Sequence, residues 1–384
     1  MLTREGCIKR RNRLWSELPE SIEWVLIGDP RHVNYFSGFW INPLSFSHNE
    51  RAFLLLQRDR TSALFADNFT LASAAGEYFT DTTIPCLWYD KEHSVHSRDN
   101  LLIEALAEAG SITDGAPGLA ENEWIPLQAL DSIPGLRTAG DAEEGISLGS
   151  VIRELRRVKD DDEISLLRRC MKAGDAGHKR ALEVVRPGIR ELDVYLEVQK
   201  AAVAALGAPG IVYGDFRAVN AEAPKQSGLP TEYILQEGDL FILDYSVVWK
   251  GYRSDTTNTI AAGEPTKAQK KLFHACLNAL TAGEKILKSG ISAKDIFHEV
   301  TNTYVSQGYP PPPPRHQGHG LGLSHPEPPI LVSESDDFLK AGDVITLEPA
   351  GHIPGTGGVR VEHNYLITET GYTRLSGHEL KFRG

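Results

Sequence analysis

The strongest constraint on this chain is a pair of apolar runs joined by Lys250-Gly251. "DLFILDYSVVW" (239–249) and "YRSDTTNTIAAG" (252–263) each read as a strand, and a two-residue link ending in glycine is a hairpin turn. Strands joined this tightly pair antiparallel, so this stretch is not built of βαβ units. The hairpin also holds an anomaly. Asp244 interrupts the first run and Asp255 stands on the return, eleven positions later. An ionised carboxylate is costly to bury without a compensating partner. One such aspartate reads as a rim residue; two on one hairpin can project from one face and point to a metal site.

The same anomaly recurs downstream. Glu348 ends the run "DVITLEP" (343–349), and Glu362 interrupts "GVRVEHNYLIT" (358–368). His319 lies in a glycine-flanked stretch, "GHGLG" (318–322), read as a loop with little bulk to block access. Four carboxylates carry charge that two divalent cations would balance; without cations they would raise one another's pKa. Oxygen-rich ligands with one nitrogen and no sulfur suit Mn2+, Co2+, Fe2+ or Zn2+ rather than copper or an iron–sulfur cluster.

At 384 residues the chain has room for two domains. The first part alternates strands ("EWVLIG" 23–28, "AFLLLQ" 52–57, "SALFA" 62–66) with a helix over 100–110 that ends at a glycine. A charged helical stretch over 151–185, stopped by Pro187-Gly188, opens a second part, so the boundary falls near Gly149, giving 1–150 and 151–384. A helix ending near Gly207 follows, then the hairpin, helices near 265–287 and 292–307, and two final strands. The run "PPPPP" (310–314) reads as a stiff spacer.

A net charge of −12 argues against non-specific binding to nucleic acid or anionic membranes. The N-terminus has no apolar core of signal length and no 18-residue apolar stretch occurs, which reads as a cytoplasmic protein. Cys7, Cys86, Cys170 and Cys276 are scattered singly and read as small core or surface residues. "GISLG" (145–149) has the spacing of a nucleophile elbow around Ser147, but "DAEE" before it is no buried strand, so a linker turn is the reading. "GHGLG" lacks the lysine and spacing of a phosphate loop. The sequon at Asn68 has no secretory context.

Taken in order, Asp, Asp, His, Glu, Glu resembles the ligand set of the M24 metallopeptidases of the pita-bread fold, such as Xaa-Pro aminopeptidase and prolidase. "ILDYSVVWKGYRSDTTNT", "HQGHGLGLSHPEPP" and "TLEPAGHIPGTGGVRVEHNYLIT" resemble its ligand segments. "IRELRRVKDDDEISLLRRC" resembles the helix opening the catalytic domain of the prolidase and creatinase branch, and "LIGDPRHVNYFSGF" that branch's N-terminal domain. The resemblance implies an α+β protein: a pita-bread catalytic domain behind an N-terminal α/β creatinase-type domain. It implies that Asp244 holds one metal, Asp255 and Glu362 bridge two, and His319 and Glu348 hold the second. A shared hydroxide would attack an amide bond between an N-terminal residue and proline, with Glu348 moving the proton. His325 and Arg360 match positions that contact substrate or orient ligands. Mn2+ is the expected metal, the substrate a small peptide or small-molecule amide, and the assembly a homodimer. The alternative is a metal-dependent amidohydrolase of a small cyclic or guanidino metabolite, like ectoine hydrolase or creatinase. Three positions depart from the family pattern. Ser227 stands where the peptidases carry a substrate-binding histidine, His325 follows His319 at six positions rather than seven, and His363 replaces the usual aspartate.

Overall fold

The computed structural model describes residues 1–41, 50–74, 76–89, 92, 98–113, 115–131, 133, 136–137, 146–311 and 316–383. Contacts divide the chain into two compact units, Met1–Arg156 and Arg157–Gly384.

The first unit contains α1 (Arg4–Glu17), β1 (Trp24–Ile27), α2 (Pro30–Ser37), β2 (Ala52–Gln57), β3 (Ser62–Asp67) and α3 (Asn68–Ser73). It continues with β4 (Thr82–Cys86), α4 (Arg98–Thr113), β5 (Gly118–Ala120), α5 (Leu127–Leu130), β6 (Leu136–Arg137) and α6 (Leu148–Leu155). Its strands form one sheet in the order β4-β3-β2-β1-β5-β6. The β1–β2 and β2–β3 pairs are antiparallel and the other three parallel. Phe53, Leu55 and Phe65 pack with Leu102 and Leu106 of α4, so near-continuous apolar strands are covered rather than alternating. The helix expected over 100–110 runs on to Thr113.

The second unit begins with α7 (Asp161–Val184) and α8 (Glu191–Leu206), followed by β7 (Ile211–Val219), β8 (Leu240–Trp249), β9 (Tyr252–Arg253) and β10 (Thr256–Ala261). Then come α9 (Lys267–Glu284), α10 (Ala293–Ser306), β11 (His316–Gly320), β12 (Glu327–Val332), β13 (Val344–Leu347), β14 (Ala350–Ile353), β15 (Gly357–Arg360), β16 (His363–Ile367) and β17 (Tyr372–Arg374). One sheet runs β10-β8-β7 with β9 on β8; another runs β12-β11-β13-β16-β17; β14 and β15 pair alone. All strand pairs in this unit are antiparallel, as the Lys250-Gly251 hairpin requires. Lys250 at φ 50° and Gly251 at φ 83° both take the left-handed conformation that a two-residue hairpin of this kind needs.

Three local readings change. The helix expected over 151–185 is two, because Asp160 and Glu163 form a capping box that starts α7 afresh. The two final strands are four, because the Gly/Pro-rich link folds into the β14–β15 hairpin. His319 sits in strand β11 rather than a loop, so "GHGLG" opens no helix and forms no phosphate cradle. Ser147 caps α6, its hydroxyl accepting from the Ser150 N–H, in keeping with a linker turn. Residues 138–145 before it, and Pro312–Pro314 of the polyproline run, lie outside the described residues. The four cysteines are buried and none is in a disulfide.

Candidate metal centre

Strand β8 decides where the carboxylates go. Successive side chains alternate between its faces. Phe241, Leu243, Tyr245 and Val247 pack under α7 and α8. Leu240 and Ile242 point the other way, into a core with Leu272, Cys276 and Ala279 of α9. Asp244 and Ser246 continue that second face past the end of the apolar core and line a cavity of about 450 Å3. The register carries the same face across the sheet, with Asp215 of β7 and Thr257 of β10 on either side of Asp244.

The same sheet supplies Asp255, and the second sheet with the β14–β15 hairpin supplies the remaining groups. Asp255 lies in the break between β9 and β10, Glu348 just beyond β13, and Glu362 between β15 and β16. The sheets are tied together at these residues. Asn364 Oδ1 accepts from the Asp255 N–H (3.2 Å), and its amide donates back to the Asp255 carbonyl. The Glu362 N–H donates to the Thr257 carbonyl (3.0 Å) and the Thr257 hydroxyl to Glu362 Oε2 (2.6 Å). The Glu348 N–H donates to the Gln317 carbonyl (3.0 Å).

All five expected ligands converge. One oxygen each from Asp244, Asp255 and Glu362 lies within 4.8 Å of the others, and Asp255 forms a second such group with His319 and His325. His319 Nε2 is 3.3 Å from Glu348 Oε1 and 3.5 Å from Asp255 Oδ2. His325 Nε2 is 2.8 Å from Asp255 Oδ2. Arg360 donates from Nη1 to Asp244. Two other groups with suitable donors are closed by hydrogen bonds. His32, between Asp29 and Glu121, shares Nδ1 with Glu121 (2.5 Å) and Nε2 with Arg156 (3.0 Å), and Asp160, Asp162 and Glu163 cap α7.

The electrostatics show a carboxylate set short of positive charge. Burial pushes Asp244 to about 7 against the pull of Arg360, with Asp255, Glu348 and Asp215 adding repulsion. Burial and the charges of Asp255, Glu348 and Asp244 raise Glu362 well above the carboxylate range despite the Thr257 hydroxyl. Burial acts on Glu348 too, but a hydrogen bond from His316 and the charges of His319 and Arg360 outweigh it and hold it at about 2. So the mutual elevation expected for all four acids is absent at Glu348, because imidazoles surround it. Burial lowers His325, but the hydrogen bond and charge of Asp255 bring it above its ordinary value. Among the described residues Glu362 Oε1 is buried with no hydrogen-bond partner, which fits an oxygen that would bind a cation. The donor set fits hard or borderline divalent ions.

Two lining residues, His316 and Asp215, carried no readable signal. His316 lies 3.4 Å from Glu348 Oε1 and follows a proline run. Asp215 lies in β7, whose "IVYGDFRAV" has no clean alternation. Ser227 is exposed; its carbonyl accepts from Arg217 Nη1 (3.1 Å), and Gly228 and Leu229 line the cavity there instead.

The model of metallopeptidase family M24 matches residues 165–369, and that of the creatinase/prolidase N-terminal domain matches 10–158. An uncharacterized peptidase of Staphylococcus aureus is 28% identical over 357 residues, covering 92% of this chain and 94% of that protein. Among solved structures, an Xaa-Pro dipeptidase from Bacillus anthracis superposes with a TM-score of 0.78 at 21% identity, over 99% of each chain. An X-Pro aminopeptidase from Thermotoga maritima gives 0.78 at 20% identity, over 98% of this chain and 99% of that one. A prolidase from Pyrococcus horikoshii gives 0.73 at 23%, over 98% and 99%. These likenesses show the same fold along nearly the whole chain.

Proposed function

Because the chain belongs to metallopeptidase family M24, we propose that it hydrolyses the amide bond between an N-terminal residue and a following proline. The observation that carries this reading is the sharing of Asp255 between two ligand groups, as a residue bridging two cations would be. Asp244, Asp255 and Glu362 would hold one divalent ion, and Asp255, Glu362, His319 and Glu348 the other. Two such ions supply Lewis acidity toward the scissile carbonyl and a nucleophile at neutral pH. Mn2+ is the metal we assign, with Co2+, Zn2+ and Fe2+ as substitutes the same donors accept.

The chain's own groups do the rest. Glu348, ionised and flanked by His316 and His319, takes the proton of the attacking water and delivers it to the leaving nitrogen. Arg360 orients Asp244 from the cavity side. His325, partly exposed in the cavity, steadies Asp255 and faces the substrate. The Xaa-Pro activity in the names of the solved relatives supports the substrate class. We assign catalysis to residues 151–384, with 1–150 as the creatinase-type domain. A cytoplasmic homodimer belongs to the same reading; four buried cysteines outside any disulfide accord with a reducing compartment. Among the described residues no helix is long and apolar enough to cross a membrane.

One observation favours a second reading, an amidohydrolase of a small cyclic or guanidino metabolite. The wall at Gly228 and Leu229 offers no imidazole to a peptide. A panel of Xaa-Pro dipeptides and tripeptides against cyclic amides and guanidino compounds separates the two. Chelation abolishes turnover in either case, and Mn2+ or Co2+ restores it. Full activity in protein shown by elemental analysis to be metal-free rejects both.

A further inference from the structure

Asp215 is an acid in the cavity that the ligand set does not use. It sits opposite Asp244 in the β7–β8 register, on the same face and one strand further out. Its Oδ1 accepts from the Gly228 N–H (2.5 Å), and among the described residues Oδ2 receives no hydrogen bond or ion pair. Arg217, next on that face, is turned away to Glu191 (3.3 Å) and the Ser227 carbonyl. Tyr213, two residues back on the same face, and Leu229 flank the carboxylate with exposed apolar surface.

Resting on the peptidase reading, we propose that Asp215 is a specificity residue that selects substrates whose N-terminal residue carries a basic side chain. An aliphatic stem would lie against Tyr213 and Leu229, with its ammonium or guanidinium at Asp215. Distance separates this cation from the substrate's own α-amino group. An α-nitrogen stands about 2.5 Å from its carbonyl carbon. Asp215 is displaced from Asp244 by a strand spacing, roughly 4.8 Å, which a lysine or arginine side chain spans and the α-nitrogen does not. The residue after the scissile bond is proline, whose side chain carries no cation to offer.

The test compares kcat/KM for Lys-Pro and norleucine-Pro, which differ mainly by the ammonium group, on Mn2+-loaded wild type, D215N and D215E. Asparagine keeps an acceptor for the Gly228 N–H, so the turn is retained. Wild type should prefer Lys-Pro by roughly 10- to 100-fold, the range of a hydrogen bond to a charged group. The ratio should collapse toward 1 in D215N through loss of Lys-Pro turnover, and D215E should keep part of it. A ratio near 1 in wild type that cleaves norleucine-Pro overturns the inference and leaves the peptidase reading standing. An equal fall for both substrates in D215N also overturns it, since Asp215 would then only hold the Gly228 turn. If neither these dipeptides nor the tripeptides extended from them by alanine are cleaved, the peptidase reading fails, and calorimetry with lysinamide and norleucinamide decides. Tighter lysinamide binding that D215N removes supports the inference; equal affinities overturn it.

Discussion

Two carboxylates of the same centre are tuned in opposite directions by their surroundings. Burial, joined by the charges of Asp255, Glu348 and Asp244, drives Glu362 up; burial acts on Glu348 as well, but the His316 hydrogen bond and the charges of His319 and Arg360 overcome it and drive Glu348 down. Opposed environments of this kind push the pKa values of neighbouring acids apart, which keeps Glu348 ionised and able to accept a proton. Replacing Glu348 by Gln keeps the shape and removes the proton acceptor. We expect kcat to fall by at least about 10²-fold, the low end of general acid–base catalysis, with KM moving much less. Steady-state kinetics on Ala-Pro check this; a variant within a few-fold of wild type rejects the role of Glu348. Arg360 shows the same logic from the cationic side, since burial alone would lower it and the surrounding carboxylates raise it instead.

At the scale of elements, the centre depends on β11 lying close against β13. Gly318 makes that approach possible. Its φ of 152° is one that side-chain-bearing residues rarely adopt, and a Cβ there would lie 2.1 Å from the Thr346 carbonyl oxygen. The Thr346 hydroxyl in turn accepts from the His319 N–H (3.3 Å), so displacing one strand displaces the imidazole. Gly318→Ala should cost roughly 1–3 kcal/mol of stability through backbone strain and overpacking. It should also weaken Mn2+ binding measured by calorimetry, because His319 moves with the strand. Unaltered melting and unaltered metal affinity together would show that β11 relaxes freely. Strand β7 shows the converse: its sequence has weak local signal, and pairing with β8 along nine residues makes it a strand.

At the scale of the whole molecule, buried imidazoles make stability depend on pH. His178 is fully buried between Tyr245 and the stacked ring of His378 (4.2 Å), with His363 beyond and Asp175 near His378. Burial, and then the neighbouring His378, depress its pKa well below the ordinary value. Only the unfolded chain takes up that proton below its own pKa of about 6.5. Stability from this residue is therefore present above that pH and lost as pH falls below it. His178→Phe should make the fall between about pH 6.5 and 5 shallower by up to ~1.4 kcal/mol per pH unit, read by denaturant unfolding. Parallel pH curves for wild type and variant would refute the assignment. Asp244, Glu348 and Glu362 were legible in the sequence because each ends or interrupts an apolar run, a conflict that local chemistry exposes without coordinates; Asp255 was legible because it shares a hairpin with Asp244, and His319 through its glycine flanks. The hairpin was legible because its turn is two residues long, and the Asp160–Glu163 cap could have been read from the same kind of local spacing. Asp215, His316 and the true wall at Gly228 and Leu229 were not legible. Asp215 faces the cavity through the β7–β8 register, His316 reaches Glu348 across the β11–β13 boundary, and Gly228 is held by Asp215 thirteen residues back. Residue type and local period are carried by the sequence itself; which side chains share a cavity is decided by non-local pairing, whose register forms only when the strands meet.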